Sequence, residues 1–290
     1  MSCPRHYCGR PFTDVEIDSI RRLVTDGRAA NRAQLSRLVC EQIGWRRADG
    51  RLKDMSCRVA MLRMQDDGLL ELPPPRNGNN NGRAYRRRTA RAEPELSAVS
   101  MPAGTLTDLH LEPITRREDS HLWNEYVERY HYLGYQPLPG AQLRYFAKAG
   151  DRVLGLLGFG AAAWKTAPRD RVIGWSAEQR QRRLHLIVNN ARFLILPWVR
   201  SRNLASRLLA MASRRLAEDW YQRYGYRPVL VETFVEIPRF RGTCYTAANW
   251  LYLGDTQGRG KLDVHHTARL PNKAVWVYPL VRDFRQILCA

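Results

Sequence analysis

Residues 227–260 read RPVLVETFVEIPRFRGTCYTAANWLYLGDTQGRG, and this stretch places a buried strand directly before a short helix. Residues 228–235 form an almost continuous run of β-branched and other apolar side chains, which predicts the buried strand. The run contains one acid, Glu232, and a buried carboxylate must be paired or have a raised pKa because burial of a charge is costly. Pro238 ends the strand, and Gly242 opens the helical turn. This stretch is therefore the first candidate for a functional site.

Side chains with reactive groups are concentrated in and just after this strand. The candidate catalytic residues are Glu232, Cys244, Tyr245 and Asn249. In a site that acts on DNA, Glu232 would be a metal ligand or general base, and Cys244 or Tyr245 would be the nucleophile. Each residue also has a purely structural explanation. Glu232 would form an ion pair with Arg192, and Cys244 and Tyr245 would be buried core residues. The stretch does not contain three carboxylates in a pattern that would indicate a metal site. The sequence therefore does not identify a cofactor, and a divalent metal bound by Glu232 is one candidate.

The chain carries a large excess of basic residues. Its 290 residues include 47 Lys and Arg against 28 Asp and Glu, which gives a net charge of +19. An excess of this size favours a polyanionic partner, and we expect DNA ahead of an anionic membrane surface. The sequence has no apolar run long enough for a membrane span and no cysteine pairs spaced for a zinc ribbon. We therefore expect a cytoplasmic protein with reduced thiols and no membrane partner.

Residues 1–75 have the pattern of a small DNA-binding module. Thr13 and Asn31 are predicted N-caps, and Glu16 completes a capping box with Thr13. Three helices followed by a short strand are typical of a winged helix-turn-helix domain, whose last helix lies in the major groove of DNA. A protein-interaction domain with a solvated basic face is the alternative. The helices are predicted over residues 13–25, 31–44 and 53–67, and the strand over residues 69–72.

The helical period predicts which side chains of this module are buried. Val15 belongs to the apolar face of the first helix, and Met55, Val59 and Leu62 belong to that of the third. The opposite side of the third helix is basic and faces DNA in this interpretation. Its predicted DNA contacts are Arg51, Lys53 and Arg58.

Residues 76–105 read as a basic flexible linker. The segment contains NGNNNGR and then closely spaced arginines, among them Arg87. Gly and Asn at this density disfavour a packed core, whereas the arginines suit phosphate contacts. The linker is therefore either an arm that contacts DNA or a solvated tether.

Residues 106–290 predict a larger domain of mixed strands and helices. Polar residues interrupt an apolar run at residues 184–196, and they form either a satisfied core network or part of a site. They are Asn189, Asn190 and Arg192, and we count Arg192 among the DNA contacts together with Arg259 and Lys261. Trp164, Lys165, Arg169 and Asp170 read as a polar loop. Strands are predicted over residues 107–113, 143–149, 152–161, 228–235 and 274–280, and a long helix over residues 203–224.

The order hairpin, strand, long helix, strand, short helix, strand resembles the GNAT-type acyltransferase fold. The resemblance implies that residues 200–205 correspond to the turn that holds the pyrophosphate of the acyl donor. Asn203 stands where that family has Gly, and Trp250 stands where it often has a Tyr general acid. We therefore expect the fold without acyl-CoA as the cofactor.

Longer stretches of the sequence are similar to the DruA family of the Druantia anti-phage systems. They include YHYLGYQPLPGAQLRY, NNARFLILPWV, GTCYTAANW and GDTQGRG, together with CRVAMLRMQDDGLLELP near the N-terminus. The resemblance implies a prokaryotic defence context or a related mobile-element setting. A helicase or other defence or transposition proteins are the partners that it implies beside DNA.

These observations predict an α/β (α+β) protein in which a winged helix-turn-helix domain is tethered to a GNAT-like mixed-sheet domain. We expect it to bind DNA and to process it by cleavage or strand transfer. One alternative is a non-catalytic DNA-binding module that recruits a helicase or nuclease. Another is an acyl-type transferase that modifies a nucleobase or a protein.

Overall fold

A computed structural model of the chain describes residues 5–75, 88–95, 97–138, 140–258 and 270–290. The chain divides between residues 81 and 82 into two compact units, which we call the helical unit and the sheet unit. Three of the predicted DNA contacts, Arg87, Arg259 and Lys261, lie outside the described residues. Among the helices of the described residues, none has the length and apolar character needed to cross a bilayer.

The described residues of the helical unit form a two-stranded hairpin and three helices. The predicted capping box is present: the N–H of Glu16 donates to the Thr13 hydroxyl, and the N–H of Thr13 donates to the Glu16 carboxylate. Asn31 caps the second helix by accepting from the N–H groups of Ala33 and Gln34. The elements are β1 (Arg5–Tyr7), β2 (Arg10–Phe12), α1 (Asp14–Thr25), α2 (Arg32–Gln42) and α3 (Asp54–Asp66).

The buried face of α1 differs from the predicted one at Val15, and the buried face of α3 differs throughout. Val15 is 79% exposed, and Ile17 is buried in its place. Met55, Val59 and Leu62 are exposed as well. Two apolar stripes with helical spacing run along α3, and packing against the rest of the unit selects the other stripe, so the period alone could not identify it. The stripe that enters the core consists of Cys57, Ala60, Met61 and Met64.

Residues 69–72 do not form the predicted strand. The N–H of Leu72 donates to the side chain of Gln65 at 3.0 Å, and Arg21 Nε donates to the carbonyl of Leu69 at 2.5 Å. Because side chains take up these backbone groups, the segment needs no partner strand. The structure thus supports a small helical unit and does not confirm a winged helix.

The described residues of the sheet unit form a seven-stranded mixed sheet with helices around it. The elements are β3 (Leu109–Pro113), α4 (Arg117–Tyr130), β4 (Leu143–Ala149), β5 (Arg152–Ala161), α5 (Ala167–Ile173), α6 (Ala177–Arg183), β6 (Ile187–Ile195), α7 (Leu204–Tyr224), β7 (Leu230–Glu236), α8 (Thr243–Ala247), β8 (Leu251–Asp255), β9 (Lys273–Pro279) and α9 (Phe284–Cys289). The strand order is β3-β4-β5-β6-β7-β9-β8. β6 and β7 run parallel, and the other neighbouring strands run antiparallel. The mixed sheet was predicted from the sequence, but α5, α6, β8 and α9 were not.

Part of the predicted linker packs on the sheet unit. The Tyr126 hydroxyl of α4 donates to the carbonyl of Arg91 at 2.8 Å, and the N–H of Thr89 donates to the buried Glu125 carboxylate at 2.6 Å. Further along, Val99 pairs with Val199 in the turn before α7. The prediction of a flexible segment is therefore wrong for residues 88–95 and 97–105, because α4 and this turn supply partners for their backbone.

Strands β6 and β7 diverge after a short parallel pairing. Three residue pairs join them, and the last is Asn189 with Glu232. Beyond this point, β6 stays paired with β5 and β7 stays paired with β9, so a gap opens in the middle of the sheet. A β-bulge at Ala191 lies at the start of the gap and turns the following residues of β6.

Successive residues of β7 point to opposite faces of the sheet. Leu230 packs with side chains from α5 and α9, and Glu232 points to the same face. Thr233 points to the other face, where it meets Tyr245 of α8. The two faces therefore separate residues that are neighbours in the sequence.

Candidate functional site

A cavity of about 550 Å³ opens where β6 and β7 diverge. Its walls are residues 191–195 of β6 and residues 233–236 of β7. Residues 130–133 at the end of α4 and residues 240–245 around the start of α8 form its rim, and Lys273 of β9 lies beside them. A volume of this size is typical of small-ligand sites. We call this cavity the cleft.

The base of the cleft is a hydrogen-bonded network around Asn190. The Tyr245 hydroxyl donates to Asn190 Oδ1 at 3.2 Å, and the Thr233 hydroxyl donates to the Asn190 carbonyl at 3.0 Å. Asn190 Nδ2 in turn donates to the carbonyl of Arg192 at 3.2 Å, across the bulge. Asn190 thus belongs to a satisfied core network that fixes the bulge, one of the two alternatives the sequence left open.

Tyr245 is a structural residue of this network. It is buried, and Trp250 meets its ring edge-on at a centroid distance of 5.1 Å. Burial raises the pKa of its phenol, so the hydroxyl stays protonated at neutral pH. The geometry therefore favours the core alternative over a nucleophile.

Cys244 and Asn249 do not form a catalytic pair. Cys244 is half-buried and lines the cleft, and burial raises the pKa of its thiol, which disfavours the reactive thiolate. Asn249 is exposed between α8 and β8 with φ of 61°, a left-handed conformation that Asn tolerates better than most residues. The left-handed backbone explains why an Asn occupies position 249, and Cys244 is explained by its place in the rim of the cleft.

Glu232 lies on the opposite face of the sheet from Tyr245 and is paired with Arg169. Arg169 Nη1 donates to the Glu232 carboxylate at 2.8 Å, and both side chains are fully buried. The N–H of Ala163 donates to the other carboxylate oxygen at 2.7 Å. Burial raises the pKa of the Glu232 carboxyl, and the charge of Arg169 opposes this rise. Both oxygens already have partners, so this geometry does not favour Glu232 as a metal ligand or general base.

Two predictions about this region are therefore wrong. The partner of Glu232 is Arg169 and not Arg192, which lies in the cleft wall. Arg169 belongs to α5 and not to a polar loop, and it also binds Asp170 through Nε and Nη2 at 2.9 and 2.8 Å. No group of three or more His, Cys, Asp or Glu side chains suited to a metal ion occurs among the residues that the structure describes.

The cleft is lined by more positive than negative charge. Its cationic side chains are those of Arg192, Arg241 and Lys273, and the acidic one is that of Glu236, which pairs with Arg239 at 3.1 Å. Arg192 Nη1 donates to the neighbouring carbonyl of Ala191 at 2.7 Å. Its Nε is buried and has no hydrogen-bond partner among the described residues. The cleft thus offers unsatisfied positive charge to a ligand.

An aromatic cluster stands at the mouth of the cleft. His131 stacks on Tyr132 at 4.9 Å, and Phe240 meets Tyr132 edge-on at 5.1 Å. The N–H of Leu133 donates to His131 Nδ1 at 3.2 Å. Burial and the nearby charge of Arg192 lower the pKa of His131 to about 4, so the imidazole is neutral at pH 7.

The sequence did not single out Phe240, Arg241 or Lys273. A signal for the first two was present, since the RFR tripeptide alternates guanidinium groups with an aromatic ring directly after the buried strand. Lys273 had no comparable signal, because it joins the cleft only through strand pairing of β9 with β7.

The predicted DNA contacts of the helical unit occupy different environments. Arg51 is exposed, Lys53 is half-buried at the start of α3, and Arg58 is paired with Asp54 at 3.5 Å. A shallow depression beside α3 gathers further guanidinium groups. Its basic residues are Arg37, Arg46, Arg47 and Arg51.

The turn before α7, which the resemblance assigns to an acyl donor, is partly used by the chain itself. The N–H of Arg200 donates to the carbonyl of Val99 at 2.8 Å, and the carbonyl of Arg202 accepts from Ala103 at 2.9 Å. Asn203 takes the left-handed conformation, with φ of 63°, at the position where a Gly was expected. Because the N–H of Arg200 already donates to Val99, it is not available to bind an anion.

The fold and the cleft define a mixed α/β protein with a GNAT-like order of strands and a basic central cleft. The family model described as Druantia protein DruA matches residues 63–269. The chain therefore belongs to the DruA family, whose members are proteins of the Druantia anti-phage defence systems.

Solved structures of acetyltransferases are distantly similar to the chain. Spermidine N-acetyltransferase from Vibrio cholerae has a TM-score of 0.38 and 12% identity, over 60% of this chain and 94% of that chain. An acetyltransferase from Bacillus subtilis in complex with CoA has a TM-score of 0.34 and 12% identity, over 60% and 99%. Polyamine N-acetyltransferase from Drosophila melanogaster has a TM-score of 0.37 and 12% identity, over 59% and 100%. Similarity at this level carries no conclusion about activity. No curated protein matches the sequence.

Proposed function

We propose that this DruA-family protein is a DNA-binding component of its defence system and that its sheet unit acts on the bound DNA. The observation that carries the proposal is the net charge of +19, which arises from 47 basic against 28 acidic residues. Neutralisation of phosphates by such an excess releases counterions and drives binding to DNA without base recognition.

The distribution of the arginines supports phosphate contact by the helical unit. The depression beside α3 brings Arg46 and Arg51 together, and both are exposed. Arg47 beside them reaches Asp54 only at 3.7 Å. A guanidinium group with such a long ion pair remains available to contact the phosphate backbone of DNA.

The salt dependence of DNA binding tests this proposal. Fluorescence anisotropy with a labelled duplex should give tight binding that weakens steeply as salt rises. Arg46→Ala with Arg51→Ala should lower the slope of log K against log salt by roughly 2, because each lost phosphate contact removes about 0.9 from it. The control is Arg227→Ala between α7 and β7, where the arginine is exposed but paired with Glu218 at 2.6 Å. Equal effects of the two changes, or no binding to the duplex, would overturn the proposal.

A non-catalytic role in recruitment is the second candidate function. It is favoured by the use of Glu232 in a buried ion pair and of the Tyr245 hydroxyl in a core network. Incubation with labelled single- and double-stranded DNA, with and without Mg²⁺, separates the two candidates. Cleavage or strand transfer that persists after repeated purification supports the catalytic role. Tight binding without any product, together with capture of a helicase or nuclease of the same defence system, supports recruitment.

A further inference from the structure

The mouth of the cleft combines exposed aromatic surface with positive charge. Phe240 is 46% exposed and Tyr132 is 38% exposed, although both are large and apolar. The guanidinium groups of Arg239 and Arg241 flank Phe240 in the sequence, and that of Arg239 lies 4.9 Å from the Tyr132 ring centroid. Aromatic rings beside cations are the arrangement that holds unpaired bases in single-strand binding proteins.

The interior of the cleft complements this mouth with a site for an anion. Arg192 lies in the wall with its Nε buried and unpartnered among the described residues. A buried donor without a partner is costly, and an anionic ligand that accepts a hydrogen bond from it would be bound favourably.

We propose that the cleft binds a nucleoside phosphate, with its base on Phe240 and its phosphate on Arg192, Arg241 and Lys273. This inference rests on the proposed DNA-binding function, because it takes the nucleotide to be an unpaired one at an end or opening of the bound DNA. A free nucleotide carries the same chemistry and is the second source. The cleft volume of about 550 Å³ accommodates one nucleotide and not a duplex.

The charge of the cleft agrees with a phosphate-bearing ligand. Its one acidic side chain, that of Glu236, is engaged by Arg239, which leaves three cationic groups without a carboxylate partner among the described residues. His131 beside Tyr132 is neutral, and its Nδ1 accepts a hydrogen bond from the N–H of Leu133. The ring proton is therefore on Nε2, which can donate to a ligand. The mouth therefore presents N–H donors to an acceptor-rich base or sugar.

Four probes test the inference: a blunt duplex, the same duplex with a single-stranded thymidine overhang, the same overhang without bases, and free thymidine monophosphate. We expect the overhang with bases to bind more tightly than the blunt duplex and the overhang without bases to lose most of that gain. Stacking of one base on an aromatic ring accounts for roughly a tenfold difference in affinity. Competition by the free nucleotide at submillimolar concentration would identify a free nucleotide as the source.

The variant Phe240→Ala should remove the advantage of the overhang, about tenfold, and leave binding of the blunt duplex unchanged. Phe240→Trp should keep it, which separates lost stacking from a folding defect. The matched control is Tyr221→Ala on α7, an exposed tyrosine with the Arg227 guanidinium 3.8 Å from its ring centroid that is not among the residues lining the cleft.

The outcomes distinguish this inference from the proposed function. Binding of the blunt duplex without any preference for the overhang, or equal effects of Phe240→Ala and Tyr221→Ala, overturns the nucleotide site and leaves the DNA-binding proposal in place. Failure of every duplex to bind overturns DNA binding. In that case, saturable binding of thymidine monophosphate that depends on Phe240 and Arg192 would still establish the nucleotide site.

Discussion

Glu232→Gln removes one charge from a buried ion pair and leaves the shape of the side chain nearly unchanged. In the protein, the Glu232 carboxylate accepts from Arg169 Nη1 at 2.8 Å and from the N–H of Ala163 at 2.7 Å. Neither Glu232 nor Arg169 is exposed to solvent. The substitution leaves Arg169 with Asp170 as its carboxylate partner among the described residues.

The expected loss of stability follows from these contacts. Removal of one partner of a buried ion pair costs about 3–5 kcal/mol, because the remaining charge stays desolvated. Arg169 keeps two hydrogen bonds to Asp170, at 2.9 and 2.8 Å. We therefore expect the lower end of the range, about 3 kcal/mol, which corresponds to a fall in melting temperature of roughly 6–12 °C for a unit of this size.

Urea unfolding followed by tryptophan fluorescence measures this loss, since every tryptophan except Trp45 lies in the sheet unit. The control is Glu218→Gln, which breaks a surface pair with Arg227 in which each side chain is 53% exposed. It should leave the urea midpoint close to that of the wild type, because an ion pair on the surface is screened by solvent. If Glu232→Gln also stayed within about 0.5 kcal/mol of the wild type, the ion pair would not be the role of Glu232.

A double substitution separates the structural role from a chemical one. Glu232→Met combined with Arg169→Met should recover part of the stability lost in Glu232→Gln, because apolar residues of similar volume can replace a buried ion pair at little cost. Any DNA-dependent activity should return with the stability. Activity that stays absent in a stable double variant would instead restore Glu232 as a candidate catalytic residue.

Three further substitutions test the packing around the cleft. Tyr245→Phe removes the donor to Asn190 and should lower the free energy of unfolding by about 1–2 kcal/mol in urea denaturation, whereas no effect would contradict the network. The pKa of His131 is lowered to about 4, against about 6.5 in the unfolded chain, so the unfolded state binds the proton more readily. Stability should therefore fall as the pH drops from 6.5 towards 4, and His131→Gln should remove this part of the pH dependence. Gly242→Ala places a methyl group 2.9 Å from the Trp276 ring at φ of +72° and should lower the melting temperature, because both strain and overlap oppose it. A melting temperature equal to that of the wild type would refute that packing.

The local elements were largely predictable from the sequence. The capping box of Thr13 and Glu16, the hairpin at Gly150 and the long helix α7 appear where the patterns predicted them. These features depend on contacts within a few residues, so the amino-acid order contains most of the information. The same holds for the excess of positive charge and for the family to which the chain belongs.

The candidate site was only partly predictable. The sequence showed that Glu232 must be paired, but its partner Arg169 is 63 residues away and on a helix that the pattern did not indicate. Cys244 lies in the cleft as part of the predicted stretch, whereas Tyr245 belongs to the core beneath it. Alternation along β7 placed Glu232 and Thr233 on opposite faces, and Tyr245 meets Thr233, so Glu232 and Tyr245 are separated by the sheet.

Amino-acid order by itself therefore determined the mixed α/β class, the basic character and the strand that leads into the cleft. The tertiary structure decided which apolar stripe of α3 is buried, which acid meets which arginine, and that Tyr132 and Phe240 meet at one opening. The physical reason is that burial and pairing depend on the packing of distant segments. The cleft exists because β6 and β7 separate after three residue pairs, a property of the whole sheet and of no single stretch of sequence.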